Sequence, residues 1–355
     1  MSFIDHANDV RKEDQLNVNA LQSFLSTSLS QKALKGELQI KQFSGGASNL
    51  TYQLSFEQQD FILRCAPKGT KAKGAHDMAR EFHIMECLKP VFPYVPAMYV
   101  YSNDETIIGR EFYIMEKLTG IIPRANLPKG LILNEIETRE LCNNMLDKLI
   151  ELHQIDVMTS GLSVFGKGQG YIQRQIEGCC ARSEKAKTWN VFNFGYVMDY
   201  LKQNMPKEER NCFIHNDFRF DNIVLNPVKP LEIIGVLDWE MATVGNPLMD
   251  LGNSLAYWTQ ADDDIIMRSI RRQPTHLKGM LTRNEVVDYY FDKMNLPKEN
   301  FTFYEVYGIF RLAVIIQQIY YRYHHKQTKN PTFKNFWLMV NYLYWRCRKV
   351  IKAKG

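Results

Sequence analysis

The segment FIHNDFRFDNIVL, residues 213–225, sets four polar or charged side chains, His215, Asp217, Arg219 and Asn222, between two apolar flanks. Short apolar runs bounded by turn signals read as buried strands. NIVL (222–225) is one such run and IIGVL (233–237) is another, joined by a turn that contains Pro227 and Pro230. A hairpin brings its outer ends together. Asp217 and Asn222 before the first strand, and Asp238 after the second, are therefore expected to converge. One carboxylate with one amide oxygen is a hard-oxygen pair suited to Mg²⁺. A second carboxylate left free can orient or deprotonate a hydroxyl.

Upstream of this hairpin the hydrophobic period changes several times. Leu16, Leu21, Phe24, Leu25 and Leu29 fall at helical spacing, which predicts a helix within 14–34. LTYQLSF (50–56) alternates strictly, with Leu50, Tyr52, Leu54 and Phe56 on one face, and predicts a half-buried strand. LQIKQF (38–43) and FILRC (61–65) predict strands on either side of it, and SGGASN (44–49) reads as a glycine turn between the first two. A helix opened by Asp77 is expected over 76–88, strands over 97–102 and 110–118, and a long amphipathic helix over 134–155. Helices dominate from there on. A sheet first and helices after is an α+β layout, not an alternating βαβ one.

The chain has 355 residues, enough for two domains or one large two-part unit. Apolar residues make up 45% and charged residues 23%, the profile of a soluble globular protein. A net charge of +5 is too small to argue for nucleic acid, but it suits an anionic small ligand. Seven cysteines with no C-x-x-C pair read as reduced residues rather than a zinc or redox motif. The polar N-terminus has no signal-peptide core, and no apolar run reaches the ~20 residues needed to span a bilayer. The expectation is a cytoplasmic protein with no nucleic-acid or membrane partner. Its oligomeric state is not legible.

His215-x-Asp217-x-x-x-x-Asn222, followed by Asp238 after a strand, resembles the catalytic loop and metal-binding aspartate of protein-kinase-like phosphotransferases. The longer stretch HNDFRFDNIVL…IIGVLDWEMATVGNPLMDL is similar to the aminoglycoside phosphotransferase and choline kinase superfamily. Within it, the likeness is to the kinase-like domain fused to certain acyl-CoA dehydrogenases and to its free-standing bacterial relatives. GGASNLTYQL, FILRCAPKG, AREFHIMECL, REFYIMEKLTG and GYIQRQIEG share this likeness in the same order, over about residues 38–260.

The resemblance implies a bilobal protein-kinase-like fold, with a small antiparallel-sheet lobe over 1–117 and a helical lobe over 118–355. It implies Asp217 as the catalytic aspartate, and Asn222 and Asp238 as holders of the Mg²⁺ that bridges the phosphates of ATP. Arg219 is expected to stabilise the transferring phosphoryl, with an ion pair to Asp221 as the alternative. His215 and Asp250 are expected to be structural. In the small lobe, Ser44, Gly45, Gly46, Ser48 and Asn49 fall in the loop that covers the phosphates. Arg64 stands where protein kinases carry a strand lysine, and Glu81 where its ion-pair partner sits. Met115 falls where it would pack on adenine, and the backbone of Glu116 and Leu118 where it would hydrogen-bond it. An edge strand with a core methionine is the alternative for that segment.

The implied activity is transfer of a phosphoryl group from Mg-ATP to an alcohol hydroxyl of a small molecule, a hydroxy acid or hydroxyacyl thioester. An aminoglycoside or choline-type acceptor is a second reading, and a nucleotide-binding pseudokinase scaffold a third. ADDD (261–264) is an acidic cluster of the sort that a polycation would need. The aromatic-rich segment 289–345 is read mainly as core. GLSVFGKG (161–168) imitates a phosphate-binding loop, but Gly168 stands where the magnesium-holding hydroxyl would be, so it is rejected.

Overall fold

A computed structural model describes residues 5–29, 34–43, 49–67, 77–207 and 210–354. The chain forms two compact units. The first comprises residues 1–123, 127–132 and 221–241, and the second comprises 124–126, 133–220 and 242–355.

The first unit is built on five strands: β1 (Gln39–Gln42), β2 (Leu50–Ser55), β3 (Asp60–Cys65), β4 (Met98–Ser102) and β5 (Phe112–Glu116). Their order is β1-β2-β3-β5-β4, and every pairing is antiparallel. The alternation of β2 does what the sequence implies: Tyr52 and Leu54 are buried, and Thr51, Gln53 and Ser55 are partly exposed. Tyr52 and Leu54 join Phe61, Leu63, Phe112 and Ile114 in one apolar cluster. Leu21 and Leu25 of α1 (Val18–Ser28) complete it from one side. Helix α2 (Met78–Leu88) starts at Asp77, whose carboxylate accepts from the Arg80 N–H at 2.9 Å. A one-turn helix, α3 (Glu105–Ile108), follows β4 and is too short to leave a periodic signal.

The division expected near residue 117 does not coincide with these units. The hairpin of β7 (Ile223–Leu225) and β8 (Ile233–Val236) groups with the sheet. Hydrogen bonds explain why. Ile121 exchanges both backbone bonds with Leu225, at 2.9 and 2.8 Å, and the Val236 N–H donates to Tyr94. Gly120 lies so close to the Leu225 carbonyl that a Cβ would collide with it. Trp239, just past the hairpin, packs edge-on against Phe92.

The second unit holds α4 (Glu135–His153), α5 (Tyr171–Lys185), α6 (Gly195–Gln203), α7 (Pro247–Ala256), α8 (Ile265–Ser269), α9 (Arg283–Lys293), α10 (Thr302–His324) and α11 (Phe336–Lys354). Helix α4 opens with a reciprocal capping box between Asn134 and Glu137. Two three-residue strands, β6 (Cys212–Ile214) and β9 (Thr243–Gly245), pair antiparallel. Helix α10 is the centre of this unit, and 14 of its 23 residues are buried. Gly308 of α10 and Gly252 of α7 face each other with no room for a Cβ on either. The aromatics over 289–345 are core in part: Tyr290, Phe291, Phe303, Tyr304, Tyr307, Phe310 and Tyr320 are buried, whereas those of α11 are partly exposed and Trp345 is half exposed.

Candidate active site

In the first unit the site is organised by one cation. Arg64 sits on β3, opposite Thr51 and Tyr113 in the sheet register. Its Nη1 is 3.0 Å from Glu81 Oε1, and its Nη2 is 3.0 Å from Asp238 Oδ1. A lysine has a single charged nitrogen, whereas the planar guanidinium serves two carboxylates at once. Burial pushes the Glu81 carboxyl up even with Arg64 beside it, and the arginine's own pKa is raised well above its ordinary value. The expected pair Arg64–Glu81 is therefore formed, and Asp238 belongs to the same network.

Asp238 has a backbone φ of +68°, the left-handed conformation that non-glycine residues rarely take. Its neighbour Leu237 donates from its N–H to the Asn222 carbonyl at 2.8 Å. The two ends of the hairpin are thus tied together, as the sequence reading required. An amide and a carboxylate at this junction are hard donors that fit Mg²⁺, which takes one or two carboxylates and leaves other positions to water and phosphate. Among the described residues no group of three or more His, Cys, Asp or Glu side chains is placed to hold a metal.

Ser44, Gly45, Gly46 and Ser48 lie outside the described residues. Asn49, the next residue, is buried, and its Nδ2 donates to Glu240 Oε2 at 2.9 Å. Glu240, which also stands 3.9 Å from Arg64, was missed by the sequence reading. Its place two residues after Asp238, in DWE (238–240), was the only available signal. Met115 is buried in β5, paired with Ile62 and Met98. The Glu116 N–H donates to the Ala97 carbonyl at 2.8 Å, so an adenine contact at Glu116 is left to its carbonyl oxygen. Leu118 packs over Gly235 of β8, close enough to exclude a Cβ there.

In the second unit the loop carrying Asp217 is fixed from beneath by Asp250. The Asp250 carboxylate accepts from the backbone N–H of His215 and of Asn216, both at 2.8 Å, and from His153 Nε2 at 3.1 Å. His153 Nδ1 in turn meets the Tyr290 hydroxyl at 2.7 Å. Burial pushes the Asp250 carboxyl up, but its bond to His153 and the charges and N–H of the loop outweigh that and hold it below the usual range. His215 is fully buried and accepts the Asp217 N–H at Nδ1, 3.2 Å away, which is a structural role. Asn216, at φ +65°, accepts from Tyr171 and Asn253. His153 was missed, because a histidine at a helix end has many bland uses.

Asp217 itself remains partly exposed. Arg219 Nη2 is 3.0 Å from its Oδ2, and the guanidinium stacks 4.3 Å over the ring of Tyr257. Arg219 is therefore engaged with Asp217. The Phe220 N–H donates to Gln273 Oε1, closing the loop. Asn246 caps α7 through Oδ1 to the N–H groups of Leu248 and Met249, a task that needs an oxygen and no charge. Two of the three carboxylates of the acidic cluster are spent on structure: Asp263 pairs with Arg283 at 2.7 Å, and Asp264 caps α8 and accepts from Tyr342, while the exposed Asp262 accepts from Gln260 Nε2 at 2.9 Å.

With this geometry in hand, known proteins can be compared. A family model described as the phosphotransferase enzyme family matches residues 39–280. Acyl-CoA dehydrogenase family member 10 of Mus musculus is 32% identical over 322 residues, covering 90% of this chain and 30% of that protein. Acyl-CoA dehydrogenase family member 11 of Homo sapiens is 30% identical over 322 residues, covering 89% and 40%. The chain thus spans less than half the length of these curated relatives. A solved protein of Ralstonia eutropha, provisionally assigned as an aminoglycoside phosphotransferase, matches with a TM-score of 0.81 at 26% identity, over 96% of this chain and 100% of that one. Choline kinase from Cryptosporidium parvum matches with a TM-score of 0.61 at 12% identity, over 96% and 97%. The fold is α+β and kinase-like, as the sequence resemblance implied. No helix of the described residues is long and apolar enough to cross a membrane.

Proposed function

The chain belongs to the phosphotransferase enzyme family, and from that premise we propose that it transfers the γ-phosphoryl group of Mg-ATP to an alcohol hydroxyl on a small molecule. The observation that carries this reading is the fork of Arg64 between Glu81 and Asp238. In this reading it is the strand-cation and helix-carboxylate pair that would orient the nucleotide phosphates, extended to the aspartate that would hold the metal.

In this reading Asn222 and Asp238 hold Mg²⁺, whose charge offsets that of the phosphates. Arg64 keeps Asp238 oriented by a charge-assisted hydrogen bond. Asp217 accepts or orients the proton of the attacking hydroxyl. Arg219 holds the Asp217 carboxylate in place and, through the same guanidinium, supplies positive charge beside it. Asp250 keeps the loop backbone rigid, so that the carboxylate is positioned before the acceptor arrives.

The acceptor preferred is a hydroxy acid or a hydroxyacyl thioester. Two of the three aspartates of ADDD, Asp263 and Asp264, are committed to Arg283, Tyr342 and a helix cap, which disfavours a polycationic aminoglycoside. The test is incubation with Mg-ATP and a panel of hydroxy acids, their CoA thioesters, choline and aminoglycosides, read by ADP release. Turnover of aminoglycosides alone would overturn the acceptor assignment. No ADP release above background with any hydroxyl compound would overturn the transferase reading itself.

A further inference from the structure

Helix α11 has two faces. Val340, Leu343, Cys347 and Ile351, three or four residues apart, make its buried one. Asn341, Tyr344, Trp345, Arg348, Lys349 and Lys352 recur at the same spacing one step round, and the last four of these are exposed. The segment leading into α6 lies along this second face. The Phe192 N–H donates to Asn341 Oδ1 at 2.8 Å, and Asn341 Nδ2 donates to the Asn190 carbonyl at 3.0 Å. The rings of Phe192 and Tyr344 are 5.5 Å apart. The Arg348 guanidinium stands 5.8 Å over the ring of Tyr344 and 5.8 Å over that of Tyr196 on α6. All of these residues belong to the second unit.

The surface so formed is both aromatic and cationic. Trp189 is 87% exposed, Phe192 56%, Trp345 50% and Tyr196 48%. Single exposed apolar residues need no explanation, but large aromatics gathered on one face by hydrogen bonds and ring contacts form a patch. Lys349 stands 5.3 Å over the Trp345 ring. Neither α11 nor the segment 185–198 contains an aspartate or glutamate. Lys187 is offset by Glu184 at 3.6 Å, and Asp199 follows on α6, whereas Arg348, Lys349 and Lys352 meet no acid of their own helix. What covers this face must therefore present apolar and anionic chemistry together. A second copy of the same face would set like charges against each other. An anionic bilayer offers both chemistries: tryptophan and tyrosine rings settle at the boundary between headgroups and acyl chains, and lysine and arginine stems reach from there to the charged headgroups.

We propose that the outer face of α11, with the 189–196 segment, is a peripheral docking surface for an anionic lipid bilayer. Trp189, Phe192 and Trp345 enter the interface, and Arg348, Lys349 and Lys352 meet the negative headgroups. The sequence reading expected no membrane partner because no run is long and apolar enough to span one, and no helix of the described residues is. Lying on a bilayer needs only one face of a helix, not its whole circumference. The surface does not depend on the phosphotransferase reading.

The whole chain is mixed with vesicles of phosphatidylcholine alone, or of phosphatidylcholine with phosphatidylserine, and the bound fraction is read by flotation. Binding to the anionic vesicles is expected, with little to the neutral ones, and it should weaken as salt is raised. Lys349→Gln combined with Lys352→Gln should lower the partition coefficient by roughly five-fold for each cation removed. Brominated phosphatidylcholine in the anionic vesicles should quench tryptophan emission of the wild type, and Trp189→Ala combined with Trp345→Ala should lose that quenching and most of the binding. The lysine variant and Trp189→Ala alone change exposed side chains and should melt with the wild type, so that their weaker binding is not misfolding. Equal binding to neutral and anionic vesicles, no binding to either, or anionic binding that survives all of these substitutions would overturn the proposal. A dimer of the protein alone, seen by sedimentation and dissolved by the same substitutions, would also overturn it, because a second copy would then cover the face. Binding of single-stranded RNA without binding of vesicles would do the same.

Discussion

At the residue scale, the site depends on who holds which carboxylate. Asp217→Ala removes the proposed proton acceptor and should lower phosphoryl transfer by roughly 10²–10⁴-fold. Mg-ATP binding, measured by titration calorimetry, should stay near the wild-type value, since the Arg64 network lies on other residues. Full ATP turnover in the mutant would remove Asp217 from the mechanism. Arg64→Lys keeps the charge but cannot face Glu81 and Asp238 together, and breaking one side of a buried pair costs about 3–5 kcal/mol. The expected result is a lower unfolding midpoint and weaker nucleotide binding in Mg²⁺, both of which Arg64→Met should worsen. Of these residues, Asp217, Asn222 and Asp238 were picked out by their spacing around a hairpin, and Arg64 and Glu81 by the family resemblance, whose expected ion pair is formed. Glu240 and His153 were not. Each acts on a partner that is distant in sequence, and nothing in a neighbouring residue announces it.

At the scale of elements, the α7–α10 crossing is a point of backbone contact. Gly308→Ala must push a Cβ into the Gly252 carbonyl, so the helices must separate, and overpacking of this kind costs about 1–3 kcal/mol or more. A lower denaturant midpoint with the same slope should be seen. Because α7 also carries Asp250 and Asn253, the same mutation should lower turnover. Asp250→Asn tests the loop support directly. The Asp250 carboxyl is held below its ordinary pKa, so it contributes stability that is fully present above the unfolded-state value near 4 and is lost as pH falls below it. The wild type should lose stability through that acid range, and the asparagine variant, already weaker at neutral pH, should lose less. Helices and strands with clear periodicity (α1, α2, α4, β2, β3) were predicted within a few residues. The β6–β9 pair escaped, since three residues carry no readable period and their pairing joins segments that surround the hairpin.

At the scale of the whole molecule, metal dependence is the simplest check. Chelation of Mg²⁺ should abolish ADP release and the stabilisation that ATP confers, while the melting temperature without nucleotide stays unchanged. A melting temperature that falls on chelation alone would mean a metal bound independently of nucleotide, which the Asn222–Asp238 pair is too sparse to explain. The sheet-first, helices-after layout, the hairpin with Asn222 and Asp238 at its ends, and the kinase-like class were legible in the sequence alone. Period, turn residues and motif spacing act over a few residues, and that is the range over which a sequence can be read directly. Only the tertiary structure decided that the hairpin belongs with the sheet, that Arg64 grips two acids, and that Asp263 and Asp264 of ADDD are spent on an ion pair and a helix cap. These depend on which distant groups share a low-dielectric interior, where an unmet charge or hydrogen bond costs most.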